Sequence, residues 1–312
     1  PVQLLNGNPW PKNSPNTYTG RTILSTGIAK SINTIAIQAL QSVGVADAFA
    51  FATEKLNLNL VAEDMNLSSL GLGGLTYGLT TEEMAAAYAA FANNGVYNSP
   101  RTYVRVTKTD STTGEETVIL ENEAESHVAM KETTAYLMTK MLKGAVTSGT
   151  ATSANFGGMT IAGKTGTTDD KYDRWFVGYT PYYTAAVWVG FEQNERVPAS
   201  GNPALKMWTL VMSGVHEGLE DRKFSEPAGL TTVTYCLDSG LLATDYCRMD
   251  PRGDRTARGT VFQGDAPTEF CTSHTAETTV TVCLDCPILD GNGEETGLYH
   301  LAGEFCPEES RQ

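Results

Sequence analysis

The sequence predicts an α+β fold, in which helices cover an antiparallel sheet and a small β-rich, cysteine-containing extension follows. Three observations carry that expectation. Segments with three-to-four apolar spacing dominate the chain up to Val146. Three strand-like apolar runs then follow one another between Met159 and Phe191 with no helical segment among them, so strands neighbour strands and do not alternate with helices. All six cysteines lie at or beyond Cys236. The chain therefore divides into two compositional regimes, set at residues 1–227 and 228–312.

Each element can be justified in order. Pro9-Trp-Pro-Lys-Asn-Ser-Pro15 is expected to be extended, because each proline fixes its own φ and biases the residue before it away from helix. Between Arg21 and Val43, Ile32, Ala36, Ala39, Leu40 and Val43 recur at helical spacing, and Gly44 stands where a C-terminal cap belongs. Gly27, Lys30, Ser31 and Asn33 interrupt the pattern and predict two helices with a junction near Ser31. A further helix is expected over Ala46 to Leu56. Thr80-Thr-Glu-Glu83 has capping-box spacing ahead of Met84, Ala87, Tyr88 and Phe91, and Asn93-Asn-Gly95 ends that helix. Val104 and Val106 alternate with polar residues, Thr112-Thr-Gly114 supplies a turn, and Val118-Ile-Leu120 returns as the second half of a hairpin. Thr133 to Val146 reads as helix. Met159–Ala162, Trp175–Tyr179 and Ala185–Phe191 read as strands, with Trp175 and Trp188 in the core, and Ala204 to Leu219 as the helix that covers them.

Composition excludes several functions. The 312 residues carry 22 basic and 36 acidic side chains, a net charge of −14 and a pI near 4.7, a balance that repels nucleic acid and an anionic lipid surface. No apolar run has the length of a membrane span. Since the first residue is Pro1, any targeting or anchoring segment is expected upstream.

Gly158-Met-Thr-Ile-Ala-Gly-Lys-Thr165 matches the phosphate-loop pattern letter for letter, yet such a loop must leave a buried strand and open a helix whose amides hold the phosphates. Here the upstream residues 150–156 are largely polar and the downstream Gly166-Thr-Thr-Asp-Asp170 is not helical. No nucleotide is expected. Lys164-Thr165-Gly166 fits a second signature, the K-T-G element of serine β-lactamases and penicillin-binding enzymes, whose S-D-N element has a relaxed counterpart in Ser31-Ile32-Asn33. The wider surroundings, Ala162-Gly-Lys-Thr-Gly-Thr-Thr168, Asp173-x-Trp175-Phe-Val-Gly-Tyr-Thr-Pro181 and Val187-Trp-Val-Gly190, together with Gly73-Gly74 and Thr80 to Asn93, resemble class A penicillin-binding proteins over about residues 1–227.

That resemblance implies a β-lactamase/transpeptidase-like fold and a D,D-transpeptidase that cross-links peptidoglycan stem peptides through an acyl-serine intermediate and is inhibited by β-lactams. A carboxypeptidase, a β-lactamase-like hydrolase and a non-catalytic wall scaffold are the alternatives. It also implies an extracytoplasmic location with the anchor upstream, and no cofactor. The residue chemistry is consistent with acyl transfer, which needs a hydroxyl nucleophile, a proton carrier, oxyanion donors and a carboxylate holder. Lys164 supplies positive charge. Thr165 and Thr167 offer hydroxyls to a terminal carboxylate, and Gly166 lets a substrate backbone lie close. By resemblance, the Thr167 N–H is an oxyanion donor, Ser31 passes a proton to the leaving amine and Asn33 bonds the substrate backbone. Structural readings stand beside these: a serine near a helix start is commonly a cap, and a lysine on a strand edge commonly blocks edge pairing.

No lysine has a serine three positions before it, and Thr168 before Lys171 is the only hydroxyl at that spacing. The S-x-x-K helix is thus expected upstream of Pro1, its absence leaving sheet edges and apolar surface exposed and the chain unable to be acylated. In the tail, an even cysteine count between Thr-rich strands (Thr231–Tyr235 and Thr278–Val282) suggests disulfides, with fifteen possible pairings and no stoichiometric metal. The rival is zinc at Cys283, Cys286, His300 and Cys306. It ranks second because only the Cys283-x-x-Cys286 pair is tight.

Overall fold

A computed structural model describes residues 2–5, 8–18, 20, 22–250, 252–275, 282–302 and 306–311. It divides into two compact units, Pro1–Pro227 and Ala228–Gln312.

In the first unit a short antiparallel pair, β1 (Gln3–Leu5) and β2 (Asn8–Trp10), precedes the helices. The predicted junction near Ser31 is present: α1 (Leu24–Lys30) stops there and α2 (Asn33–Val43) begins two residues later. Gly44, at φ 98°, caps α2 and opens α3 (Val45–Ala50), which runs on into one π-helical turn, Phe51–Lys55. After α4 (Leu67–Leu72), which the polar Asn66-Leu-Ser-Ser69 stretch conceals in the sequence, comes α5 (Thr81–Ala92). Its capping box forms as the spacing predicts, Thr80 Oγ1 accepting from the Glu83 N–H and the Glu83 carboxylate accepting from the Thr80 N–H. Strand β3 (Val96–Asn98) pairs with β6 (Ser126–Val128) and brackets the hairpin β4 (Arg105–Thr109) and β5 (Glu116–Glu121), whose residues are exposed on both faces. Helix α6 (Glu132–Thr147) then leads to the main sheet of β7 (Ala162–Thr167), β8 (Arg174–Tyr179) and β9 (Thr184–Val189), covered by α7 (Pro203–Val215).

The main sheet is antiparallel in the order β7-β8-β9, which leaves β7 as an edge strand. Its first strand differs from expectation. The predicted strand ended at Ala162, whereas β7 begins there and contains Lys164, Thr165 and Gly166. Hydrophobicity is a poor guide to it, because β7 is held by its ladder to β8 and by glycines: a Cβ on Gly163 would lie 2.6 Å from Phe176 Cζ. Trp188 also departs from expectation. It is exposed (38%), donating Nε1–H to Asp173 at 2.9 Å, while Trp175 is half-buried.

The core lies between the sheet and α7, where Trp208 and Phe176 are fully buried edge to face, with centroids 4.9 Å apart, among Val146, Ile161, Leu205 and Met212. Trp208 keeps its polar atom satisfied by donating to Ala185 O at 3.0 Å. Apolar surface is also left uncovered: Met207, Leu210, Val211 and Val215 on the opposite face of α7 are exposed. No single helix among the described residues is long and apolar enough to cross a membrane.

The second unit contains β10 (Leu230–Cys236), α8 (Asp245–Arg248), β11 (Thr256–Phe262), β12 (Val282–Leu289) and β13 (Glu295–Leu301), with β10–β11 and β12–β13 each paired antiparallel. The predicted strand at Thr231–Tyr235 lies within β10. The one at Thr278–Val282 falls outside the described residues except for Val282, which opens β12. The disulfide expectation is corrected: all six cysteines are free thiols. Cys236, Cys247 and Cys271 converge on a single point together with His274, and a three-fold convergence cannot be satisfied by pairing.

Replacing Trp208 with Ala should cost about 3–5 kcal/mol of stability, the range for emptying a buried aromatic site. Urea titration should show this as a lower midpoint with an unchanged slope.

Candidate active site on the Lys164 strand

Ser31 owes its position to the way α1 ends. Its backbone is left-handed (φ 58°, ψ 50°), its N–H donates to Ile28 O at 3.2 Å and the Ile32 N–H donates to Gly27 O at 2.8 Å. The helix is closed off and the Ser31 hydroxyl is turned outward. A Cβ on Gly27 would collide with Ile35, so glycine is needed for α2 to pack this closely against α1.

The connection from α6 to β7 is fastened to the same helix end. Lys30 Nζ donates to Ser148 O at 2.5 Å, and the Thr150 N–H donates to Ala29 O at 3.0 Å. Gly149 between them has no room for a Cβ, which would strike the Ala29 carbonyl. Thr150 Oγ1 lies 2.7 Å from Thr165 Oγ1, so the hydroxyls of the connection and of β7 share a hydrogen bond.

Lys164 projects from β7 toward the end of α1. Its Nζ donates to Ser31 Oγ at 2.8 Å and to Thr165 O at 3.1 Å. Burial pushes its ammonium down to about 8, because a half-dry site disfavours the charged form. Gly166 stands opposite Trp175 in the ladder, with only 3.0 Å between its potential Cβ and Trp175 Cβ. Thr167 is exposed and donates its hydroxyl to Gly166 O at 2.8 Å.

Of the sequence-selected residues, Ser31, Lys164 and Thr165 are brought together, with Gly166 and Thr167 next along the strand. Asn33 bonds elsewhere: its Nδ2 donates to Lys12 O at 2.8 Å, and Asn13 Oδ1 accepts from the neighbouring Thr34 N–H at 3.1 Å. Sequence reasoning missed Lys30 and Thr150. The small triplet Ser148-Gly-Thr150 directly after a helix was the available signal.

The arrangement can move a proton. A lysine that titrates near neutrality, bonded to a hydroxyl, serves as either donor or acceptor without an external base. The phosphate-loop alternative fails on geometry, since Lys164 lies within a strand and residues 168–173 form a turn into β8 with no helix start to receive phosphates.

Residues 6–204 match the penicillin binding protein transpeptidase domain. The chain belongs to this family. Residues 226–276 match the penicillin-binding protein 1A C-terminal domain. Penicillin-binding protein 1A of Clostridium perfringens is 34% identical over 278 residues, which cover 85% of this chain and 32% of that protein. The chain thus spans about a third of the length of the curated relatives it matches. Among solved structures, penicillin-binding protein 1A from Haemophilus influenzae superposes with a TM-score of 0.66 at 22% identity, covering 84% of this chain and 43% of that one. The PonA1 protein of Mycobacterium tuberculosis in complex with penicillin V gives 0.59 at 22% identity, covering 70% and 62%. At these identities the two structures establish the fold, an α+β transpeptidase domain.

The Lys164 side chain should titrate with a midpoint near 8, against about 10.4 for an unperturbed lysine, read from its Cε chemical shift and assigned by Lys164→Arg. Between about 8 and the ordinary lysine value of about 10.4 the unfolded chain holds the extra proton, so stability from this group rises with pH through that window. A Lys164→Met variant should lose the rise.

Proposed function

We propose that this chain carries the substrate-holding part of a D,D-transpeptidase site that acts on peptidoglycan stem peptides and takes up β-lactams in their place. The observation that carries the reading is the 2.8 Å bond from Lys164 Nζ to Ser31 Oγ, made from an edge strand. An edge strand offers its free ladder groups to an extended peptide, giving main-chain hydrogen bonds without a dedicated pocket. Gly166 leaves the strand face open for that approach, and the Thr165 and Thr167 hydroxyls receive the substrate's terminal carboxylate.

In the proposed reaction a serine hydroxyl attacks the penultimate carbonyl of the donor stem peptide, forming an ester and breaking the terminal peptide bond. The attacking hydroxyl gives up its proton, and Ser31, relayed by Lys164, delivers one to the departing amine. The acceptor amine then attacks the ester and regenerates the hydroxyl. The Thr167 N–H stabilises the oxyanion at both stages, and Asn33 bonds the donor backbone once its amide exchanges Lys12 O for substrate. No lysine of these 312 residues has a serine at the preceding i−3 position, so the attacking serine belongs to the remainder of the parent protein. The penicillin V complex of the mycobacterial relative supports β-lactams as ligands of this fold. Peptidoglycan as substrate puts the site outside the cytoplasmic membrane, and the net charge of −14 argues against a nucleic-acid partner.

The 312-residue chain should form no covalent adduct with a fluorescent penicillin, while the chain extended upstream to include an S-x-x-K helix should label stoichiometrically. Labelling of the short form would overturn the placement of the nucleophile. In the extended form Lys164→Ala should slow acylation roughly a hundredfold, the usual effect of losing a proton-transfer or electrostatic group. An unchanged rate would remove Lys164 from the site.

A further inference from the structure

The second unit has almost no apolar interior of its own. The hydrophobic cluster at its centre consists of Cys236, Cys247 and Cys271, exposed by 0, 0 and 4%, with Ala243 against them. Three thiols make a poor core, being small and weak hydrogen-bonding groups. They are brought in from three separate places: the end of β10, helix α8 and the segment before His274. His274, itself buried, turns Nδ1 toward the same point, 3.4 Å from Cys236 Sγ and 3.4 Å from Cys271 Sγ. The three sulfurs and the imidazole nitrogen all lie within 4.8 Å of one another.

We propose that Cys236, Cys247, Cys271 and His274 form a closed tetrahedral site for one zinc ion, and that this ion is the structural centre of the C-terminal unit. The distances fit, because a tetrahedral centre with Zn–S of about 2.3 Å and Zn–N of about 2.0 Å separates nitrogen from sulfur by about 3.5 Å. Sulfur-rich four-ligand sets of this kind select zinc over the oxygen-seeking cations. The surrounding groups are arranged as such a site requires. The Asp238 N–H donates to Cys236 Sγ and the Thr244 N–H to Cys247 Sγ, each at 3.4 Å, so backbone donors face two of the sulfurs from outside the site. Binding displaces the thiol protons to solvent, so sulfur–hydrogen bonds are exchanged for sulfur–zinc bonds with no change of oxidation state.

The other face of the His274 ring completes the case. Nε2 lies 2.9 Å from Asp250 Oδ2 and 3.2 Å from Asp238 Oδ2. A proton on Nε2 shared with these carboxylates leaves Nδ1 as a lone-pair donor aimed at the metal, the usual carboxylate–histidine–zinc pattern. Asp250 is buried and held by both Arg252 Nε (2.8 Å) and an Arg252 terminal nitrogen (2.7 Å), and Arg255 holds Asp238 at 2.9 Å. The ring orientation is therefore set by a charged network that the apolar packing of this unit could not replace. The site differs from the Cys283, Cys286, His300 and Cys306 set that the sequence offered, in which Cys283 lies beside Cys286 and Cys306. The tight Cys271-x-x-His274 pair was the overlooked signal.

The 312-residue chain, purified with reductant and dialysed against zinc followed by buffer, should retain zinc that His274→Ala and Cys247→Ser each reduce by one equivalent. Cys286→Ser should leave that equivalent in place. Zinc-edge X-ray absorption of the unmodified chain should give sulfur at about 2.3 Å and nitrogen at about 2.0–2.1 Å in a three-to-one ratio, a readout that does not depend on any variant folding. Asp250→Asn should weaken zinc retention against a chelator by about 10–100-fold while preserving the ligand set. Unchanged zinc in His274→Ala, an oxygen-dominated absorption spectrum, or a disulfide joining any two of Cys236, Cys247 and Cys271 in the native protein would overturn the proposal.

Discussion

Gly149 can only be glycine, because a Cβ there would run into the Ala29 carbonyl, and from this one close approach the geometry of the candidate site follows. It lets the Thr150 N–H reach Ala29 O and the Lys30 ammonium reach Ser148 O, so the start of the α6–β7 connection is pinned to the last turn of α1. The strand that leaves this connection passes the left-handed turn at Ser31 at hydrogen-bonding distance. A helix terminus normally leaves carbonyls without intrahelical partners. Here one of those carbonyls accepts the contact that registers helix against strand.

How much of this was legible in the sequence depended on whether an element announces itself through its own side chains. The α1–α2 break, the capping box at Thr80 and the covering helix α7 were readable because capping residues and apolar spacing act within one segment. The start of β7 was not. Its residues Gly163, Lys164, Thr165, Gly166 and Thr167 have no apolar pattern, and they form a strand because β8 provides a ladder and Phe176 and Trp175 leave space for little more than hydrogen at the glycines. Ser31 and Lys164 were selectable as motifs, but their direct bond is a long-range fact. Asn33 was selectable by the same motif, and its bond to Lys12 O was not foreseeable from spacing. In the tail the cysteine count was informative, but which thiols meet was not, because Cys236, Cys247 and Cys271 come together with His274 only in three dimensions.

The two units solve the same problem by different physics. Residues up to 227 bury Trp208, Phe176, Tyr179 and Ile37 completely and have enough length to form a core by exclusion of water. The described part of the C-terminal unit consists mostly of paired strands with half-exposed threonines, and its polar interior is a network of two aspartates, two arginines and one histidine. Such a network costs desolvation energy that is recovered only when every member is satisfied. The first unit thus tolerates changes of shape that preserve volume, whereas the second depends on the identity of individual polar atoms.

The left-handed conformation of Ser31 has a consequence for how this position can change over time. A side chain at positive φ is strained by of order 1 kcal/mol or more, and glycine would relieve it. Any drift toward stability therefore favours losing the hydroxyl that meets Lys164. Serine there marks a residue held against its own backbone preference, and a lineage that no longer used the hydroxyl would be expected to surrender it early, before the strand opposite had altered at all.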